Sequence, residues 1–319
     1  MLRETIAFSN MNTDSFDVPV LLLAFNRPNT ICDVFDQIRK IKPSTLYIFS
    51  DAPRDDQPED NELVEICRHL MDESQINWDC KVARWYADKH IGRAVGTSSA
   101  ISWAFETSDR LIVLEENCVP HRTFFTFCRQ MLDKYQFNDR VMHVSGLRRV
   151  GELEENNFDH FFIHVADIYG WATWKRAWNR FDFWMEQYTE PDSKKILQKL
   201  LGSGSTAKYW NGKFCEAYLK EQKQSWFYQW QYAIFLNNGL AVIPNVNLIS
   251  KLVPEGSDHA YRSHFDRNVA WRNRLTDAPS VVKTSHKLYL EEPRYSKDNQ
   301  SIRRILNYVR FSLKKYKTF

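Results

Sequence analysis

The chain has 319 residues, 43% of them hydrophobic and 26% charged, with a formal net charge of +3. That length allows one large domain with a substantial core, and the near balance of charge gives no electrostatic case for a nucleic-acid partner. Six scattered cysteines without a C-x-x-C pair argue against a disulfide framework or a structural zinc site, and for reduced thiols in the cytoplasm.

The segment 1–17 is polar, lacks the apolar run of a secretion signal, and reads as an N-terminal tail. No later stretch approaches the ~20 apolar residues of a membrane span. Val18 to Phe25 is a continuous apolar run ending at Asn26-Arg27-Pro28, the pattern of a strand buried on both faces that leaves its sheet through a loop. Asn29 or Thr30 supplies a cap for a helix with Ile31, Val34, Phe35 and Ile38 on its apolar stripe. Thr45 to Ser50 is the next strand, broken at Asp51-Ala52-Pro53-Arg54, and a second helix puts Leu63, Ile66, Leu70 and Met71 on one face. A third strand covers Lys81 to Tyr86. The loop from Asp88 to Gly96 opens a helix carrying Ala94, Ile101 and Phe105. Gly92 and Gly96 form neither a dinucleotide-binding fingerprint nor a Walker A loop, so they read as turn residues or as a close approach of the backbone.

Leu111 to Leu114 reads as a central strand, and it ends abruptly in Glu115, Glu116 and Asn117. Strands alternating with helices imply a parallel sheet with right-handed crossovers, and such sheets hold ligands at the carboxyl ends of their strands. Oxygen donors there suit a hard divalent cation that can hold a diphosphate; the plainer reading is an acidic turn before the helix that follows Pro120. That helix carries Phe124, Cys128, Met131, Leu132 and Tyr135, and Val141 to Ser145 is another strand. Gly146 to His160 is polar and acidic and reads as a mobile loop. The spacing of Trp171, Trp174 and Trp178 predicts one helix face, either packed or offering a sugar platform at its exposed end.

Thr189 to Gln224 is mostly polar helix interrupted at Gly202-Ser203-Gly204, and Trp226 begins an aromatic helix that stops at Asn237-Asn238-Gly239. Leu240 to Pro244 is a strand, and Asn245 to Leu252 leads into Pro254 to His259. Beyond Tyr261 the chain is basic and loop-like. From Ser301 to Phe319 helical periodicity returns, with Ile302, Ile305, Leu306, Val309, Leu313 and Tyr316 on one face and basic residues on the remainder. Such a helix either docks on protein or lies on an anionic membrane surface.

Leu22 to Pro28, Ser50-Asp51, the helix from Gly92 to Phe105, Leu114 to Pro120, Tyr169 to Trp174, Asn238-Gly239-Leu240 and Ile243 to Ile249 follow one another in an order that resembles the nucleotide-diphospho-sugar transferases of the GT-A superfamily, similar in layout to the N-acetylglucosaminyltransferase I group. The resemblance implies an α/β fold: a single GT-A (Rossmann-like) domain over 18–265 with a mixed, mostly parallel central sheet flanked by helices, then a basic C-terminal extension over 266–319 with a helical tail. It implies an inverting glycosyltransferase that moves a sugar from a UDP-type nucleotide-sugar donor to a saccharide or lipid-linked acceptor in cell-surface glycan synthesis. The cytoplasm is the expected compartment, and the membrane reading of Ser301 to Phe319, open beside docking on protein, would hold the enzyme peripherally at the inner face of the cell membrane.

By the same resemblance Phe25, Arg27, Asp51, His90, Arg93, Glu115 and Glu116 bind the nucleotide-sugar, with Asp51 on the base. Asn117 and His259 hold Mn²⁺ or Mg²⁺, and Trp171, Trp174 and Trp226 form the acceptor platform. Two departures bear on mechanism. Asn117 stands where relatives carry a charged metal ligand, so the metal requirement is expected to be weak or dispensable. Phe227 stands where they carry the catalytic Asp, and phenylalanine accepts no proton, so the base falls to Glu216, Asp258 or a loop carboxylate such as Glu155. The alternative is a nucleotide-sugar or glycan-binding protein that kept the fold and lost the base.

Overall fold

The first strand, β1 (Val20–Ala24), is buried at all five positions because it is covered on both sides: Leu21 and Leu23 enter one core, Val20, Leu22 and Ala24 the other. The structure is a computed structural model describing residues 15–148, 159–202, 204–220 and 225–252. Glu155, Asp258, His259, the boundary at 265 and the stretch from Ser301 to Phe319 lie outside the described residues.

After β1 come α1 (Pro28–Ile41), β2 (Thr45–Ser50), α2 (Glu59–His69), β3 (Lys81–Tyr86), α3 (Arg93–Thr107) and β4 (Arg110–Glu115). The next elements are β5 (Cys118–Pro120), α4 (Arg122–Lys134), β6 (Val141–Ser145), β7 (His160–Ile163), β8 (Trp171–Trp174) and α5 (Lys175–Trp178). The described chain closes with α6 (Glu190–Leu201), α7 (Ser205–Leu219), α8 (Phe227–Leu236), β9 (Leu240–Pro244) and β10 (Ile249–Lys251). Eight strands form one sheet in the order β3-β2-β1-β4-β8-β6-β9-β7, in which β8 and β7 run against the rest. This is the mixed, mostly parallel sheet that the resemblance implies; the alternation alone implies only its parallel part.

The order has a consequence for the site. From β1 the chain winds outward to β3, then returns past β1 to lay down β4. α1 and α2 put Ile31, Val34 and Cys67 into one core, whereas α3 puts Ala100, Ile101 and Ala104 into the other. The winding therefore reverses between β1 and β4, and a crevice opens at their carboxyl ends.

Several local expectations are corrected. α1 starts at Pro28, with Arg27 as a cap residue that makes no side-chain bond, rather than being capped by Asn29 or Thr30; the fixed φ of proline suits the first helical position. α2 buries Val64 and Cys67, while Ile66 is exposed and Leu63 and Leu70 are half-buried, because the buried Asp60 sets the rotation of the helix. Trp171 and Trp174 lie on strand β8, not on a helix, so their three-residue spacing sends them to opposite cores. β5 and β10, unmarked in the sequence, pair as an antiparallel ribbon beside the end of β4. His160, at the end of the expected loop, begins β7. Phe16, placed in the tail, is buried against Phe125 and bridges Pro43.

The six cysteines are all free thiols. Among the described residues no helix is long and apolar enough to cross a membrane.

Candidate functional site

Glu116 spans the crevice between β1 and β4. Its N–H donates to Leu23 O at 2.9 Å, its Oε2 accepts the Phe25 N–H at 2.6 Å, and its Oε1 faces Arg27 Nε at 3.6 Å. Only 7% exposed, its carboxyl is pushed above the usual range by burial, against the opposing pull of the Phe25 N–H and Arg27. Because the folded pKa lies above the unfolded one, this group favours folding below the unfolded value of about 4.3 and loses that contribution as pH rises through the folded value. Glu116→Gln, whose amide oxygen still accepts from Phe25, is therefore expected to raise the melting temperature at neutral pH and to leave it unchanged in acid. A thermal melt series across pH checks this, and a uniform drop at every pH would contradict it.

Beside it, Arg93 at the start of α3 reaches both Glu115 oxygens through Nη2, at 3.0 and 2.9 Å. Arg93 is exposed, so its guanidinium faces the opening while Glu115 fixes its direction.

Asp51, at the end of β2 and 5% exposed, knits the neighbouring loop. Its Oδ1 accepts the N–H of Ala52 at 2.8 Å and of Ile91 at 3.0 Å, and its Oδ2 accepts that of Gly92 at 2.9 Å. His90 Nδ1 lies 3.1 Å from Oδ2 and 2.9 Å from Ala52 O; two acceptors and no donor assign the proton to Nδ1. Gly92, the residue before α3, has φ +80°, which glycine adopts freely. The carboxylate expected to meet a base is thus committed to its own loop, which it holds beside Phe25; the His90 and Phe25 rings are 5.4 Å apart.

A second buried carboxylate ties the β1 and β2 loops together. Asp60 accepts Arg54 Nε at 2.6 Å, Arg54 Nη2 at 2.9 Å and Asn26 Nδ2 at 2.7 Å, and Arg54 in turn lies 5.6 Å from the Phe25 ring centre. The hydrogen bonds from Arg54, with help from Asn26, lower the Asp60 carboxyl to about 2. Nothing local marks Arg54 or Asp60, because their pairing is formed by a loop closing on the first turn of a helix.

Asn117 is 7% exposed; its Oδ1 accepts the Cys118 thiol at 3.5 Å and its backbone O accepts the Leu252 N–H at 2.8 Å. Glu115 is held by Arg93 and Glu116 by Phe25 and Arg27. Among the described residues no three His, Cys, Asp or Glu side chains gather as a metal site. Of the two metal ligands that the resemblance implies, only Asn117 is among the described residues. Positive charge at this edge comes from the side chains of Arg27, Arg93 and Lys251 of β10, whose ammonium lies 3.8 Å from the Tyr169 ring centre. Lys251 went unmarked because a three-residue ribbon carries no periodicity.

Other expected site residues lie elsewhere. Glu216 on α7 pairs with Lys213 and Lys220, each at 3.0 Å, and those lysines lower its carboxyl, the opposite of what a general base needs. Trp171, Trp174 and Trp226 are only 1%, 4% and 2% exposed, so the acceptor platform expected of them is corrected to core packing. Trp171 stacks between Trp226 at 5.6 Å and His143 at 4.8 Å. Phe227, the first residue of α8, packs against the same core.

No protein-family model and no curated protein matches this chain. Solved structures that align with it include a mycobacterial protein, at 16% identity over 41% of this chain and 40% of that one, with a TM-score of 0.25. Others are 4-diphosphocytidyl-2C-methyl-D-erythritol synthase from Anaerococcus prevotii DSM 20548 (9% identity, 75% of this chain and 91% of that one, TM-score 0.36) and the inositol-1-phosphate CTP transferase from T. maritima (8%, 72% and 86%, TM-score 0.37). These superpositions are too loose to transfer an activity, so the functional reading rests on the crevice and its residues.

Proposed function

We propose that the chain is a GT-A-type glycosyltransferase that moves a sugar, with inversion, from a UDP-type nucleotide-sugar to a saccharide or lipid-linked acceptor. The observation that carries this reading is the crevice at the β1/β4 switch point, spanned by Glu116 and rimmed by Arg27 and Arg93. Open α/β sheets hold nucleotides in such a crevice, and guanidinium groups suit a diphosphate. In this reading Phe25 and the His90 loop flank the base, Glu115 and Glu116 orient the two arginines, and Lys251 adds charge from the ribbon. Side-chain cations then do most of the neutralising that Mn²⁺ or Mg²⁺ does elsewhere, and a metal brought by His259 is dispensable.

The acceptor hydroxyl oxygen attacks the anomeric carbon from the face opposite the leaving group. The bond from that carbon to the diphosphate oxygen breaks, its electron pair leaves on the nucleoside diphosphate, and the hydroxyl proton passes to a carboxylate. Phe227 cannot take it and two lysines lower the basicity of Glu216, which leaves Asp258 or a loop carboxylate such as Glu155; we assign the proton to Asp258. The stretch from Ser301 to Phe319 holds the enzyme beside a lipid-linked acceptor at the inner face of the membrane.

A donor-hydrolysis screen over UDP-, GDP- and dTDP-sugars, with Mn²⁺ and with chelator, tests the proposal. Turnover is expected with a UDP-sugar, and chelator is expected to slow it by less than about tenfold, because the edge supplies its own cations. The missing base at Phe227 favours a second reading, binding without turnover: UDP would then raise the melting temperature while no donor is hydrolysed. If no nucleotide changes the melting temperature, the crevice is not a nucleotide site.

A further inference from the structure

The buried stack of Trp171 on Trp226 brings two tyrosines to the rim of the crevice. Trp171 pairs with Val113 of β4, and Gly170 lies against Leu114, so Tyr169 comes level with Glu115, whose carboxylate holds Arg93. Trp226 meets Trp171 at 5.6 Å immediately before α8, and Tyr228 is the second residue of that helix. Lys213 of α7 lies 5.7 Å from the Tyr228 ring centre and pairs with Glu216.

The Tyr228 ring is half-buried against the core, but its hydroxyl reaches solvent and makes no hydrogen bond among the described residues. Burial pushes that hydroxyl above its usual range; Lys213 and Lys220 oppose the shift, while Glu216 and Tyr169 add to it. Tyr228 is therefore a neutral phenol at working pH, able both to donate and to accept. Arg93 is held above its ordinary value foremost by Glu115 and, more weakly, by Tyr169. Tyr169 is thus within electrostatic reach of Arg93 on the crevice side and of Tyr228 on the other, and the three residues form one continuous rim.

We propose that the rim beside Tyr228 is the acceptor subsite, and that the Tyr228 hydroxyl selects a saccharide by hydrogen-bonding one of its hydroxyls. The half-buried tyrosine rings give apolar surface for the C–H face of a sugar, and the phenol offers a donor and an acceptor that nothing else in the described chain uses. Beside it Glu216 and Lys213, a carboxylate and an ammonium, suit further hydroxyls. The platform assigned by spacing to Trp171 and Trp226 thus falls to the tyrosine two residues away from each. This rests on the reading of the crevice as the donor site, in which Arg27 and Arg93 hold the diphosphate and an acceptor on the rim lies beside the sugar to be moved.

The test uses the full-length protein and two readouts: the melting temperature with and without UDP, and saturation-transfer NMR in saturating UDP. The NMR probes are methyl glycosides of glucose, galactose and N-acetylglucosamine and short oligosaccharides of each, at millimolar concentration. Saturation of ring protons is expected in the parent, with the dissociation constant raised about fivefold in Tyr228→Phe and about tenfold or more in Tyr228→Ala. The UDP-dependent rise in melting temperature is expected to be the same in all three proteins. Tyr228→Phe removes one oxygen that bonds to nothing in the described chain, so it should fold like the parent and decides the matter even if Tyr228→Ala does not fold. No saturation with any probe, an unchanged dissociation constant in Tyr228→Phe, displacement of the sugar by UDP, or an equal loss of the UDP effect in Tyr228→Phe would each overturn the proposal. If the glycosides bind through Tyr228 while UDP leaves the parent's melting temperature unchanged, the saccharide site is upheld and the donor reading of the crevice fails.

Discussion

Replacing Asp51 with alanine is expected to lower the melting temperature by on the order of 5–10 °C and to abolish any stabilisation by UDP. The carboxylate satisfies three backbone N–H groups, those of Ala52, Ile91 and Gly92, within a buried turn. Each donor left without a partner costs about 1–3 kcal/mol if it stays buried, and the loop relieves that cost by opening to water. Opening also frees His90, which is held by Asp51 and Ala52 O, so the wall beside Phe25 goes with it. Asp51→Asn keeps one acceptor oxygen but turns an NH₂ toward a backbone N–H, and it should fall between the two. Thermal melts of the three proteins with and without UDP provide the measurement. An alanine variant that melts with the parent would show that these hydrogen bonds do not hold the loop.

This result separates what the sequence discloses from what it hides. β1, β2 and β4 are legible because strands covered on both faces must be apolar throughout, and a run such as Val20 to Ala24 has no other economical use. The acidic end of β4 is legible for the same reason, since its polarity breaks a run that burial had enforced. The role of Asp51 is not legible: two of its three N–H partners lie about forty residues on, and nothing local distinguishes a carboxylate that knits a loop from one that meets a ligand. Trp171, Trp174 and Trp178 mislead because three- and four-residue spacing fits a helix, while β8, buried at every position, shows none of the alternation that marks a strand. In α2 both Leu63/Ile66 and Val64/Cys67 offer an apolar stripe; the choice falls to Asp60, whose partners Arg54 and Asn26 belong to other loops.

Asp60→Ala is the second substitution with a large expected effect, and its signature lies in acid. The Asp60 carboxyl is held at about 2, foremost by Arg54 and then by Asn26, against about 3.9 in an unfolded chain. A depressed folded value means that the contribution is fully present above the unfolded value and is lost as pH falls through the folded one. A difference of nearly two pKa units corresponds to about 2–3 kcal/mol. The parent should therefore exceed the variant by at least that amount at neutral pH, and the gap should narrow between about pH 4 and pH 2. Denaturant titrations across that range decide it. A gap that stays constant down to pH 2 would mean that packing, not the ion pair, accounts for the difference. Because Arg54 and Asn26 would lose their common anchor, the variant should also bind UDP more weakly.

The β5–β10 ribbon fixes the starting point of a tether. Leu252 is bound through its N–H to Asn117 O, so everything beyond it is attached at the acidic end of β4. Asp258 and His259 follow only six and seven residues later, a span of at most about 25 Å of extended chain. In the proposed reaction, groups so few residues from Leu252 would reach the crevice at millimolar effective concentration, whatever their intrinsic affinity for what it holds. Cutting the chain just after Leu252 would turn that encounter into a bimolecular one. A synthetic peptide covering 253–265 could then restore the lost contribution only at comparable, millimolar concentration.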